Sequence, residues 1–94
     1  MRLSGKWMKG ADDRILEFLH EEGPSTPKSM YDDGRIRFSR GYINTRCRVL
    51  SDNGLLVNLG NGVYQITEDG KKYLAGELDT AEMDEDNGEQ PASA

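Results

Sequence analysis

A mainly α domain carrying one small β-hairpin is the fold class this sequence predicts, and three observations carry that expectation. Apolar residues recur at helical spacing in separate stretches, each opening on a capping residue or an acidic first turn. An Asn61-Gly62 pair separates two short alternating runs, the strongest short-range signal for a hairpin. The chain has 94 residues, enough for one hydrophobic core and too few for two.

The first helix is expected from about Ala11 to Glu21. Ala11, Ile15, Leu16 and Leu19 keep the i, i+4, i+5, i+8 spacing of a core-facing stripe, with Phe18 on its shoulder. Asp12 and Asp13 sit in its first turn, where carboxylates suit the helix dipole, and Gly23-Pro24 ends it. Neighbours on a helix do not face each other, so these two carboxylates read as solvated surface rather than a catalytic pair. Thr26-Pro27 is an N-cap followed by proline at the first helical position. It opens a short second helix, Pro27 to about Asp33, with Met30 and Tyr31 inward, and Gly34 closes it. Arg35-Ile36-Arg37-Phe38 alternates polar and apolar, as a short strand or an extended connector does. Ser39 caps a third helix, Arg40 to about Asn53, on which Ile43, Cys47 and Leu50 form one narrow buried stripe. Asn53-Gly54 is its C-cap.

The hairpin occupies residues 55–67, with Asn61-Gly62 as a two-residue type I′ turn. Counting outward from that turn sets Leu59 opposite Tyr64 and Val57 opposite Ile66. Leu55, Val57, Leu59, Tyr64 and Ile66 then share the buried face, and Asn58 pairs with Gln65 on the other. Thr67 caps a fourth helix, roughly Glu68 to Asp79, with Tyr73, Leu74 and Leu78 on its apolar side. From Thr80 the chain is acidic and almost without apolar residues. Residues 1–79 are therefore expected to form the domain and residues 80–94 a disordered acidic tail.

In that order, the second helix, a short turn and the capped third helix make a helix-turn-helix, and the hairpin behind them makes a wing. The sequence resembles winged-helix transcription regulators, broadly of the MarR/ArsR kind and more specifically the haloarchaeal family related to the phage phi-H repressor. WMKGADDRILEFL (7–19), TPKSMYDD (26–33), SRGYINTRCRVLSDNGLL (39–56) and GNGVYQITEDGKKYLAGELD (60–79) carry the resemblance, over about three quarters of the chain. It implies a winged helix-turn-helix fold and a transcriptional regulator or repressor with double-stranded DNA as its partner. One departure stands out. Many such regulators carry a base in the wing, whereas residues 49–70 here contain none, so wing contacts fall to Asn58, Asn61, Gln65 or backbone amides.

A net charge of −5 argues against nucleic acid until its distribution is seen. Residues 77–94 hold seven acids and no base, which leaves residues 1–76 at a net of +2. Five of the seven arginines (Arg35, Arg37, Arg40, Arg46 and Arg48) fall in one stretch, and no acid interrupts Gly34 to Ser51. Such a segment is a local anion-binding surface, because a field acts where its charge is concentrated. Opposite the buried stripe of the third helix lie Gly41, Thr45 and Arg48, flanked by Asn44 and Tyr42. Arg40, Asn44, Thr45 and Arg48 are the candidates for reading base edges in the major groove. Tyr42, Arg46, Arg35 and Arg37 suit phosphates, with Ser39, Lys28 and the wing-tip Asn61 completing the expected DNA-binding set. The competing reading is an ordinary solvated helix in a winged-helix protein-interaction module that does not touch DNA.

Other functions find little support. One Cys and one His exclude an internal disulfide and a closed zinc site. Cys47 lies on the buried stripe, where a free thiol behaves as a small hydrophobe. His20 stands alone at a helix end. Gly60-Asn61-Gly62 lacks the context of a phosphate loop, and the acidic run near residue 84 lacks calcium-loop spacing. No enzyme, cofactor, small-molecule ligand or effector domain is expected. Apolar runs reach only two or three residues, so neither a membrane span nor a signal-peptide core is expected, and the protein is placed in the cytoplasm. The acid excess, together with the resemblance, points to a halophilic setting. Leu3, Trp7 and Met8 before the first helix, with Leu74 and Leu78 after the wing, predict a homodimer through the N-terminal segment and the last helix.

Overall fold

Side chains that accept otherwise unpaired backbone amides set where the helices begin. The computed structural model describes residues 5–78. It contains α1 (Gly10–Glu22), α2 (Pro27–Asp33), α3 (Arg40–Asp52), β1 (Leu56–Gly60), β2 (Val63–Ile66) and α4 (Glu68–Leu74). Thr26, Ser39 and Thr67 accept from the amides of Ser29, Tyr42 and Gly70 at 3.1 Å each. These three caps are those the sequence announces. α1 is capped from inside instead: the Asp12 carboxylate accepts from the Lys9 amide at 2.9 Å, the acidic half of a capping box.

The core gathers one stripe from each helix. Ala11, Ile15, Leu16 and Leu19 of α1 meet Met30 of α2 and Ile43, Cys47 and Leu50 of α3. Leu55, Leu56, Tyr64, Ile66 and Tyr73 close it from the hairpin and α4. Each large side chain contributes about 1.5–3 kcal/mol by leaving water. Tyr31, expected inward, is 48% exposed, so α2 contributes Met30 and Pro27 alone. Residues 35–38 form an irregular connector rather than a strand, with Ile36 buried and Phe38 exposed.

The hairpin turn forms as expected, with Asn61 at φ 54° and Gly62 at φ 77°, the backbone a type I′ turn demands. The register does not. Leu56 pairs with Ile66, Val57 with Gln65 and Asn58 with Tyr64, while Gly60 pairs with Val63. Leu59 is thus an extra residue, a bulge in β1 that shifts Leu56, Val57 and Asn58 by one and flips their faces. The Asn58 side chain accepts from the Gly60 amide at 2.8 Å across that bulge. Leu56 therefore turns inward, and Val57 and Leu59 stand outside at 41% and 54% exposure. β2 gains a second neighbour that sequence periodicity does not announce: Ser25 and Tyr64 exchange backbone hydrogen bonds at 3.0 and 2.8 Å. That bridge ties the α1–α2 connection to the wing.

α4 stops at Leu74, five residues short of the expected Asp79. Gly76, at φ 79°, takes the left-handed position of a Schellman ending. The Glu77 amide bonds to the Lys72 carbonyl at 2.8 Å and the Gly76 amide to the Tyr73 carbonyl at 3.0 Å. Gly54 ends α3 in the same manner, the Leu55 amide reaching the Leu50 carbonyl at 3.0 Å. The expected tail at 80–94, the residue Asp79 and Leu3 lie outside the described residues.

The first turn of α4 presses directly on the wing. A Cβ at Gly70 would lie 2.5 Å from the Leu55 carbonyl oxygen and 2.6 Å from Ile66 Cγ1. The Leu55 carbonyl also accepts the Thr67 amide at 3.1 Å, so that backbone has nowhere to move. Gly70→Ala should lower stability by about 1–3 kcal/mol, as overpacking does, despite alanine's better helix propensity. Urea unfolding checks this, and an unchanged midpoint would mean the contact relaxes freely.

Candidate nucleic-acid interface

α3 turns its polar face to solvent because its opposite face is held by packing and by charge. Beside the buried stripe of Ile43, Cys47 and Leu50 lies Arg46, only 8% exposed. Its Nε donates to Asp12 Oδ1 at 2.9 Å and its Nη2 to Asp12 Oδ2 at 2.8 Å. Nη2 also donates to the Trp7 carbonyl at 3.0 Å. Asp12 is fully buried. Hydrogen bonding to Asp12, which outweighs the opposing effect of burial, raises the Arg46 pKa above the ordinary arginine value. Two expectations are corrected here. Asp12 is not solvated surface, and Arg46 is not a phosphate ligand, since its guanidinium is turned inward onto a carboxylate 34 residues upstream.

Arg35 is also corrected. Its Nη1 donates to Glu21 and its Nη2 to Glu22, both at 2.9 Å, while Nε donates to Asp33 at 3.0 Å. The guanidinium carbon lies 4.7 Å from the centroid of the Phe18 ring. Hydrogen bonds to Glu22 and then Asp33 push the Arg35 pKa up, and the Arg35 side-chain hydrogen bond pulls the Asp33 pKa down. With three carboxylates on one guanidinium, a group that is net negative, Arg35 ties the end of α1 to the α2–α3 connector and offers no positive charge to a ligand.

Most of the remaining candidates converge on two open grooves. Lys28, Arg40, Asn44 and Asn61 line the first, together with Thr26, Pro27, Gly41 and Gly62. The start of α2, the outward face of α3 and the tip of the wing therefore meet there. Thr45 and Arg48 line the second with Asn58 and Tyr64 of the wing and Asp52. Lys28 pairs with Asp32 at 2.7 Å in an exposed i, i+4 contact, too weak to withhold it from a stronger anion. The Ser39 hydroxyl oxygen serves as the α3 cap, and the Thr45 hydroxyl donates to the Gly41 carbonyl at 3.1 Å. Tyr42 packs against Phe38, ring centroids 5.3 Å apart, on the other flank of the helix.

Arg37 lies on that other flank as well, in a concavity lined by Gly10, Arg14, Arg35 and Phe38. Arg14 is a basic residue that sequence patterning passed over. It sits on α1, remote in sequence from the basic stretch, and no local pattern joins it to Arg37. Cys47 is fully buried, and burial, aided by the Asp12 charge, pushes its thiol up to about 12. A thiol so protonated is a core side chain and a poor nucleophile. Among the described residues no group of three His, Cys, Asp or Glu side chains could hold a metal ion.

The family described as winged helix-turn-helix phage repressor matches the chain over residues 1–86. The repressor protein of Halobacterium phage phiH is 41% identical over 81 residues, an alignment spanning 78% of this chain and 85% of that protein. Among solved structures, the crystal structure of the PhiH1 repressor-like protein from Haloarcula marismortui superposes with a TM-score of 0.85 at 50% identity. That match covers 87% of this chain and 93% of the other.

The buried pair makes a sharp stability prediction. Arg46→Met leaves Asp12 without its counter-ion and should lose about 3–5 kcal/mol, whereas Asp12→Leu combined with Arg46→Met should recover much of that loss. A double-mutant cycle by urea unfolding measures the coupling. Additive losses would show that the two charges do not depend on each other.

Proposed function

The chain belongs to the winged helix-turn-helix phage repressor family, a non-enzymatic DNA-binding family, and from that premise we propose that it represses transcription by laying α3 in the major groove of specific double-stranded sites. The observation that carries this reading is the first groove, where Arg40 and Asn44 of α3, Lys28 of α2 and Asn61 of the wing tip line one surface without an acid among them. Arg40 and Arg48 suit guanine and Asn44 suits adenine. Thr45, whose hydroxyl donates within the helix, offers its methyl to thymine. Lys28 and Asn61 within this groove, Ser39 at the start of α3, and Tyr42 and Arg37 on the opposite flank of α3 suit sugar-phosphate contacts. No helix among the described residues is long and apolar enough to cross a membrane, and the DNA is met in the cytoplasm.

Two copies act together in this reading. Trp7, Met8, Leu74 and Leu78 are only partly buried where they pack on the core. Tyr73 donates to Asp13 at 2.6 Å, which holds α4 beside the start of α1. A homodimer through the N-terminal segment and the α4 end covers that apolar surface and presents two reading helices to half-sites about one DNA turn apart. The acid excess keeps such a protein hydrated in the strong salt of a halophilic cytoplasm. The wing's outer Val57 and Leu59, exposed on a hairpin that carries no base of its own, favour a second reading, a protein-interaction module that leaves DNA alone.

Selection of bound duplexes from a random pool, followed by titration, separates the two readings. Arg48→Ala and Asn44→Ala should each weaken the selected site by about 1–3 kcal/mol and random DNA far less. Equal losses on both would end the base-reading assignment, and no selected sequence at all would leave the protein-interaction reading in its place. Light scattering in molar KCl should return twice the chain mass, with a melting temperature that climbs as KCl is added. A monomer at high micromolar concentration overturns the dimer.

A further inference from the structure

A helix seated in the major groove is bordered by a sugar-phosphate strand on each side, and contacts to those strands supply most of the affinity of such complexes. On the wing side of α3 the supply of positive charge is thin. The hairpin from Leu55 to Ile66 carries no base, and Lys28 already has Asp32 beside it. The cations there are Arg40 and Arg48 of the helix itself and the loosely paired Lys28. The opposite flank differs. Tyr42 lies roughly 160° around the helix from Asn44 at 3.6 residues per turn, and against it packs Phe38. Phe38 in turn shares a concavity with Arg14 and Arg37. Both arginines are exposed, and neither has an ion-pair partner among the described residues. The acids nearest Arg14 in sequence are already engaged, Asp12 with Arg46 and Asp13 with Tyr73. Arg35, in the wall of the same concavity, is taken up by Glu21, Glu22 and Asp33, a group that is net negative, so the positive charge offered there is that of Arg14 and Arg37 alone.

We propose that Arg14 of α1 and Arg37 of the α2–α3 connector form a clamp for the DNA backbone on the flank of α3 away from the wing, supplying the electrostatic grip that a base-free wing does not. Planar guanidinium forks match phosphate oxygens in pairs. The occupant is a strand of duplex DNA, because the concavity adjoins the first turn of the helix that reads the groove. This rests on the reading of α3 as the DNA-reading helix.

The test uses the full chain and duplexes of two kinds, a site selected from a random pool and a scrambled duplex of equal length. Fluorescence anisotropy titrations across a series of salt concentrations compare wild type with Arg14→Gln, Arg37→Gln and the double variant. Each single variant should lose affinity roughly eightfold at 0.1 M salt, equally on both duplexes, and the slope of log affinity against log salt should fall by about 0.9 per arginine. Arg14→Lys should keep most of the salt slope, which a purely structural role for Arg14 does not predict. Unchanged affinity and slope in Arg14→Gln, with the selected site still lost in Arg48→Ala, overturns the clamp and leaves the reading helix standing. A loss restricted to the selected duplex overturns it too, since a backbone contact is blind to sequence. Indifference of all the variants, Arg48→Ala included, removes the DNA-reading role of α3 and the clamp with it.

Discussion

The ion pair between Asp12 and Arg46 is the contact on which the presentation of α3 depends. A carboxylate in the first turn of α1 accepts three hydrogen bonds at once, one from the Lys9 amide that starts its own helix and two from the Arg46 fork. The same guanidinium reaches the Trp7 carbonyl and so holds the segment before α1. Charges removed from water are expensive unless their partners are well placed, and here the partners come from α1, α3 and the N-terminal segment together. Rotation of α3 about its axis would have to break this pair as well as uncover the buried stripe of Ile43, Cys47 and Leu50. The outward face of Gly41, Thr45 and Arg48 is set by what the inward face must keep.

The division of labour among the arginines explains how an acidic protein can carry a DNA-binding surface. Arg46 acts inside the fold and Arg35 on its surface as a tie among Glu21, Glu22 and Asp33. Neither adds positive charge to the field that a ligand meets. What remains outward is Arg40 and Arg48 on α3 and Arg14 with Arg37 beside it. Counting bases in a stretch therefore overstates its charge, because an arginine with buried or clustered carboxylates is already neutralised at the distances where the field acts.

The wing shows the same dependence on distant contacts. Its turn residues decide their own backbone, yet the bulge at Leu59 decides which side of β1 meets the core. With the bulge, Leu56 fills the space beneath the hairpin and the α4 turn can rest on the Leu55 carbonyl through Gly70. Without it, Val57 and Leu59 would face inward and Leu56 outward. Packing against α3 and α4 selects the first arrangement, and the Asn58 side chain secures it by bonding to the Gly60 amide.

Much of this architecture was legible from one-dimensional signals. Thr26, Ser39 and Thr67 mark helix starts because a cap acts within three residues. Asn61-Gly62 marks a turn because its backbone angles are a property of those two residues. The stripe of Ile43, Cys47 and Leu50 marks the face of α3 because periodicity repeats along one helix. The outward residues Arg40, Asn44, Thr45 and Arg48 follow from that stripe by subtraction. Even the early end of α4 at Ala75-Gly76 was written locally, hidden by the apolar Leu78 beyond it. The partner of Arg46, the three carboxylates around Arg35, the company of Arg14 and the bulge in β1 were decided only by tertiary structure. Each depends on which groups meet across space after the helices pack, and a charge or a pleat carries no mark in sequence of the neighbour it will find.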